Sequence, residues 1–298
     1  MILGIIANTS KENIAEIVSS IMRQIEENNL DFLLSDMLLP FKENFHKKVT
    51  KSKFANNDLL CKKSDIIVSI GGDGTMLASA YKAQFYNKPV LGVNIGKLGF
   101  LIEANVNQAG SLIKDIKKNR FKIEEKMVVT GECINHKCEK LYAINDIVIE
   151  KGGWPKMIEL AVWVDGEYVT TLDADGLIIA TPTGSTGYSI STGGPIVSPK
   201  ADVITLSPIS PHSLTVRPLV LPSNQEIVIR ANSLYKEISV SCDGQRVYVY
   251  PPPLEIKIKK SERSLKIIHS SLTNYFETLR NKLLWGVDVR KSSINNSE

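Results

Sequence analysis

The 298-residue sequence holds only four cysteines, Cys61, Cys133, Cys138 and Cys242, too few and too scattered for a disulfide-built scaffold. Cys133, His136 and Cys138 crowd one polar stretch, yet their spacing fits no zinc pattern and no fourth ligand stands nearby. They are expected as reduced thiols in a hairpin loop, and no metal is expected on protein ligands. No run approaches the roughly 18 apolar residues of a membrane span. The opening Met1-Ile2-Leu3-Gly4-Ile5-Ile6-Ala7 lacks the basic start of a secretory signal. A strong charge of one sign is missing too: 36 Lys and Arg against 32 Asp and Glu leave +4. With no dense basic stripe, nucleic acid and membrane are not expected partners. Repeats and low-complexity blocks are absent. What is present is the composition of a soluble globular protein, 43% hydrophobic and 23% charged, long enough for two domains. A cytoplasmic location is the expectation.

The stretch with the most information is Ile66 to Thr75, an apolar β-branched run that ends in Gly71, Gly72, Asp73, Gly74 and Thr75. It reads as a strand feeding a phosphate-sized turn, whose glycines can take positive φ and bring N–H groups close to an anion. A helix starting near Thr75 would aim its free N–H groups at the same place. A carboxylate inside an anion-friendly loop points to chemistry, with Asp73 facing a hydroxyl nucleophile or a metal. A second glycine-rich loop, Gly92-Val-Asn94-Ile-Gly96-Lys97-Leu98-Gly99, has three residues between its first glycines and a leucine after the lysine. That excludes the P-loop. The first loop has Leu77 where the dinucleotide fingerprint needs its third glycine.

Taken in order, Ile2 to Ala7 is a buried strand and Ile14 to Ile25 recurs at helical spacing. Leu30 to Leu34 is a second strand, and Lys42 to Lys53 a solvated connection. Asp65 to Ile70, a helix from about Thr75 to Ala83, and Pro89 to Val93 form a βαβ unit. Helix Val106 to Lys118 follows. This predicts an α/β N-terminal domain with a Rossmann-like parallel sheet over residues 1–120. Segments of strand type then run from Phe121 to Ile268, with Asp165-Gly166 and Asp243-Gly244 as hairpin signals. Residues 121–270 are therefore a mostly antiparallel β domain, and 271–298 a helix and polar tail, the helix packing back on the first domain.

Three polar insertions interrupt the β domain. Asn145-Asp146 stands inside an apolar run, where both side chains need partners if buried, and ribose hydroxyls suit both. Asp175 opens a strand that empties into a hydroxyl- and glycine-rich loop from Thr181 to Ser191, with Tyr188 to lie against a heterocycle. Cys242-Asp243-Gly244-Gln245 is the third, and by itself a hairpin turn. Lys156 and His212 are further candidates, although a lysine there is more often a solvated charge and a histidine there a packed loop residue.

Together G-G-D-G-T at 71–75, G-V-N-I-G-K-L-G-F-L at 92–101, N-D at 145–146, D-G-L-I-I-A-T-P-T-G-S-T-G-Y-S at 175–189, G-G-P at 193–195, P-H-S-L at 211–214 and D-G-Q at 243–245 resemble the bacterial NAD kinase family. The resemblance implies phosphorylation of the adenosine ribose 2′-hydroxyl of NAD by ATP, giving NADP, with a divalent cation, usually Mg²⁺, bridging the phosphates. It implies that Asp73 accepts the proton and that Gly74 lies beside the dinucleotide. Asn145 and Asp146 would hold ribose hydroxyls; Asp175, Thr186, Gly187, Tyr188, Ser189, Ile190 and Ser191 would line the pocket. Gln245 would reach in from its turn, and a homodimer or homotetramer is implied. Gly71, Gly72, Thr75, Asn94, Lys156 and Thr183 form an outer set of contributors. Ala78, Asp173 and Gly187 depart from the family pattern, the first two where basic residues are common and the last where alanine is usual. Alternative readings are a lipid kinase of the diacylglycerol kinase type, which shares G-G-D-G-T, and a non-catalytic dinucleotide-binding sensor.

Overall fold

A computed structural model describes residues 1–96, 99–102, 104–269 and 275–286. Lys97 and Leu98 of the second glycine loop, the expected helix start at Ser271 and the polar tail from Lys291 lie outside these residues. The chain divides into two units, Met1–Glu124 with Ile267–Glu298, and Glu125–Lys266.

The first unit opens with β1 (Ile2–Ala7), α1 (Ile14–Glu27), β2 (Asp31–Ser35), β3 (Phe54–Ala55) and α2 (Asn57–Lys63). There follow β4 (Ile66–Gly71), α3 (Asp73–Ala83), β5 (Val90–Asn94), β6 (Ala104–Asn105) and α4 (Ala109–Lys117). Strands β3, β2, β1, β4 and β5 stand side by side in that order, all parallel. The α1 stripe of Ile14, Val18, Ile21 and Ile25 and the α4 stripe of Leu112, Ile113 and Ile116 share one core with Leu3, Ile5, Val68 and Val93. Helix α2 presses on the sheet where a Cβ on Gly4 would lie 2.5 Å from Leu60 Cδ2, so only glycine permits that approach. The order reverses between β1 and β4, and ligands of such sheets bind beyond the strand ends at this point. Asn8 N–H donates to Ile70 O there, at 2.9 Å, and the glycine turn follows directly.

After β7 (Lys122–Lys126), which lies next to the closing strand in the first unit's sheet, the second unit is built from β8 (Val129–Cys133), β9 (Leu141–Ala143), β10 (Asp146–Glu150), β11 (Ile158–Val164), β12 (Glu167–Ala174), β13 (Gly176–Ala180) and α5 (Tyr188–Ser191). It continues through β14 (Val203–Ile209), β15 (Leu219–Pro222), β16 (Ile227–Asn232), β17 (Ile238–Cys242), β18 (Arg246–Tyr250) and β19 (Leu254–Lys260). β20 (Leu265–His269) and α6 (Tyr275–Leu283) close the chain, and Ile267 pairs parallel with Val90 in the first unit's sheet. Two six-stranded sheets, ordered β15-β14-β13-β10-β17-β18 and β12-β11-β16-β19-β8-β9, form a sandwich. Ile147, Ile179 and Val240 of one meet Leu160, Ile229 and Ile256 of the other in one core.

The apolar run that Asn145-Asp146 interrupts is two strands, β9 and β10, with a corner at Ile144 and Asn145. Cys133 and Cys138, expected as reduced thiols, are joined as a disulfide. The intervening loop folds back through Asn135 Nδ2, which donates to Pro253 O at 2.6 Å, and this brings the two Cα atoms to 5.9 Å.

Candidate functional site

In the first unit α3 begins at Asp73 rather than Thr75, with Gly72 as its N-cap. A carboxylate in a helix's first turn lies with the dipole rather than against it, so the acid fits the loop electrostatically. The glycines do not adopt positive φ here. Gly72 sits at φ −108° and ψ −174°, with open space where a Cβ would be. Gly71 is glycine because a Cβ would lie 2.3 Å from Oγ1 of the half-buried Thr75. The half-buried Asp73 carboxylate accepts from Phe100 N–H at 2.8 Å and Leu101 N–H at 3.2 Å, so the second glycine loop orients it. A Cβ on Gly99 would fall on that carboxylate. Asn94 is buried and folds its amide onto Gly96, accepting from N–H at 3.1 Å and donating to O at 2.9 Å. Its side chain therefore serves the loop rather than a ligand. Gly74 lies exposed in the first turn of α3.

In the second unit the antiparallel register sets three distant segments side by side. Asp146 pairs with Ala180, and Ile147 with Cys242, so the Asn145-Asp146 corner, the loop after Ala180 and the Asp243-Gly244 turn meet at one sheet end. Ile144 O accepts from Thr181 Oγ1 at 2.6 Å, and Asn145 O from Thr181 N–H at 2.8 Å. Asp146 O accepts from Asp243 N–H at 2.9 Å. Asp243 Oδ1 accepts from the N–H groups of Ile144, Asn145 and Asp146 at 2.9, 2.7 and 3.4 Å. Thr181 and Asp243 thus hold every backbone polar group of the corner. Its side chains are left otherwise engaged or not at all. Asn145 Oδ1 is buried without a hydrogen-bond donor, a costly state unless a ligand supplies one. Burial first, and the like charge of Asp243 second, push the Asp146 carboxyl up to about 7.

The hydroxyl loop is less available to a ligand than its composition predicts. Ser189, expected in the pocket, is fully buried and shares a 2.8 Å hydrogen bond with Ser207. Ser185 donates to Pro182 O and accepts from Val197 N–H. Thr186 donates to Thr183 O at 3.3 Å, and Ser191 to Tyr188 O at 2.7 Å. These hydroxyls close the loop and α5, because a chain this short of regular structure must satisfy its own carbonyls. Gly187 faces the side chains of the corner: a Cβ there would lie 3.8 Å from both Asn145 Nδ2 and Asp146 Oδ2. Tyr188 is 45% exposed, and burial together with the charges of Glu150, Asp175 and Asp146 pushes its hydroxyl up. Ile190 is half-buried in α5.

Asp175 stands at the other end of β13 from the corner, about 17 Å away at 3.4 Å per residue, with its carboxylate 2.6 Å from Lys151 Nζ. Tyr188 senses both ends. Gln245 is exposed on the turn whose Asp243 grips the corner. Lys156 and His212 are exposed, the latter donating its N–H to Asp173 O at 2.8 Å. Sequence reasoning passed over Lys151, Glu150 and the role of Asp243. A charged pair at the end of an apolar strand was the available signal for the first two.

Residues 3–121 match the family described as ATP-NAD kinase N-terminal domain, and residues 144–270 the ATP-NAD kinase C-terminal domain. Fold and matched sequence together define a kinase, an enzyme of the phosphotransferase class. The chain belongs to the ATP-NAD kinase family. It is 35% identical to the NAD kinase of Chlorobium phaeovibrioides over 287 residues, 96% of this chain and 99% of that one. With the NAD kinase of Magnetococcus marinus it shares 40% over 232 residues, 76% and 75% of the two chains. The crystal structure of yeast NADH kinase complexed with NADH aligns with a TM-score of 0.84 at 25% identity, covering 97% of this chain and 88% of that one. An NAD kinase from Archaeoglobus fulgidus in complex with ATP aligns with a TM-score of 0.73 at 27% identity, covering 95% and 99%.

Proposed function

We propose that this kinase transfers the γ-phosphoryl of ATP to the adenosine ribose 2′-hydroxyl of NAD, with Asp73 as proton acceptor and Asn145 and Asp146 holding the ribose. The observation that carries this is the orphaned Asn145 Oδ1 beside a buried carboxyl, on a backbone with no polar group left to spare. A vicinal diol supplies two donors to such a pair. A lipid acceptor has no comparable claim on it, and the match of residues 144–270 to the ATP-NAD kinase C-terminal domain favours the dinucleotide over the lipid-kinase alternative.

Phosphoryl transfer passes through a loose transition state, so positioning and charge neutralisation provide most of the acceleration. Asp73, fixed by two N–H donors, orients the hydroxyl and takes its proton late. Gly72, with open space at its Cβ position, leaves room for phosphate oxygens at the head of α3. Gly74, Gly187, Tyr188, Ile190 and Gln245 line the nucleotide, and Asp175 with Lys151 bounds its far end. A divalent cation, Mg²⁺ in the usual case, neutralises charge on the phosphates. Such a cation would be held by the ATP phosphates, with the Asp73 carboxylate as the protein ligand available to it.

The cytoplasm and a homodimer or homotetramer complete the proposal. Support for assembly comes from edge strand β18, where Val247 and Val249 are 62% and 58% exposed. Among the described residues no helix is long and apolar enough to cross a membrane. Incubation of the purified protein with NAD, ATP and Mg²⁺, followed by an NADP-specific dehydrogenase, tests the reaction. Absence of NADP from a folded protein refutes it.

A further inference from the structure

One buried carboxylate organises the corner without facing a ligand. Asp243 Oδ1 receives three consecutive amides, 144 to 146, a concave arrangement of N–H groups that suits an anion. Its Oδ2 accepts from Arg246 Nη2 at 2.9 Å, and the same guanidinium nitrogen donates to Tyr142 O at 2.9 Å. The Asp243 side chain is fully buried, and that of Arg246 is 18% exposed. Asp165-Gly166 provides the comparison, with the same dipeptide and both residues at positive φ. Its exposed carboxylate accepts one backbone amide, Glu226 N–H, and Gln225 Nε2, from the turn before β16, and gathers no run of consecutive amides.

We propose that Asp243 is the positioning residue of the ribose-binding corner, setting the direction of the Asn145 and Asp146 side chains through their backbone, with Arg246 as its counterion. This rests on the reading of that corner as the NAD ribose site. A carboxylate that gathers three amides from one side leaves both side chains to project from the other. Removing its charge loosens the corner and also removes a like charge from beside Asp146. The groups that face Asp146 are Asp243, Cys242 and Tyr188, with Arg246 behind Asp243.

The test uses full-length Asp243→Asn and Arg246→Met proteins, each checked for folding by circular dichroism. NMR titration of the ¹³C-labelled Asp146 carboxyl is followed without nucleotide. Its midpoint moves down in Asp243→Asn, which loses a neighbouring negative charge, and up in Arg246→Met, which leaves that charge uncompensated. The KM for NAD rises about tenfold in Asp243→Asn, the scale of one charge-assisted hydrogen bond, while kcat and the KM for ATP stay within about twofold. A merely structural role moves both midpoints alike or neither. Midpoints that stay put or shift in the same direction, or an unchanged KM for NAD in an active Asp243→Asn enzyme, overturn the assignment. A wild-type protein that makes no NADP refutes the ribose reading instead, and the carboxyl midpoints still decide whether Asp243 governs the corner.

Discussion

Asp146 is predicted to destabilise the protein that carries it. Only 4% of its surface is exposed, and its carboxyl is raised from 3.8 to about 7 by burial and by Asp243. A raised carboxyl leaves stability intact below the unfolded value and removes it as pH rises through the folded value. At 1.36 kcal/mol per pH unit, the full loss is about 4 kcal/mol, of which about 1.5 is already gone at pH 5. Asp146→Asn abolishes this titration with little change in shape. The variant is therefore expected to be more stable than the wild type at pH 8 by about 2 to 4 kcal/mol, and to lose about 2 kcal/mol less between pH 5 and pH 8. Urea unfolding at both pH values measures this, with Trp154 and Trp163 reporting on the second unit. The same variant is expected to raise the KM for NAD, because an amide cannot accept from two ribose hydroxyls as a carboxylate does. Wild-type NAD affinity is correspondingly expected to improve as pH rises through about 7. An Asp146→Asn protein that is no more stable at pH 8 and shows an unchanged pH slope refutes the reasoning.

Asp73→Asn is expected to retain NAD binding and lose turnover by about 10²; steady-state kinetics with binding calorimetry checks this, and unchanged turnover removes its role as proton acceptor. The two loop glycines next to the corner are expected to differ in tolerance. Gly184→Ala places a Cβ 2.0 Å from the Asn145 carbonyl oxygen, an overlap that backbone cannot yield to, and should cost at least about 1 to 3 kcal/mol in thermal or urea unfolding. Gly187→Ala meets its nearest atom, Gly184 O, at 3.2 Å, and should leave stability within about 1 kcal/mol and turnover near wild type.

Local pattern was enough for elements whose identity depends on neighbours in sequence. The α1 stripe, the glycine-terminated strand β4 and the turn at Asp165-Gly166 follow from period and turn chemistry alone. Strand β14 was not legible because Pro208 interrupts Val203–Ile209, and proline argues against a central strand. The sheet resolves the conflict: β15 pairs only with Val203 to Leu206, so Pro208 sits where β14 has lost one neighbour. Strand β20 reads like the β segments before it. Its place beside β5, in the parallel sheet of the other unit, depends on contacts that cross most of the chain.

The site shows the same division at the level of single side chains. The sequence marks where polar residues interrupt apolar strands, and those interruptions are the corner, the hydroxyl loop and the Asp243 turn. Composition cannot say which of these polar groups answer to the backbone. Thr181, Ser185, Ser189, Asn94 and Asp243 all do, and each binds an N–H, a carbonyl or another hydroxyl inside its own unit. Asn145 Oδ1 breaks the rule that buried polar groups find partners, Asp146 is a carboxyl buried beside a like charge, and both stand on a backbone whose own hydrogen bonds are complete. A chain selected for stability alone would put apolar residues at both positions. Their retention at a cost of several kcal/mol needs something outside the chain to repay it, and the chemistry left exposed, one amide oxygen beside one carboxyl, selects a neighbouring pair of hydroxyls.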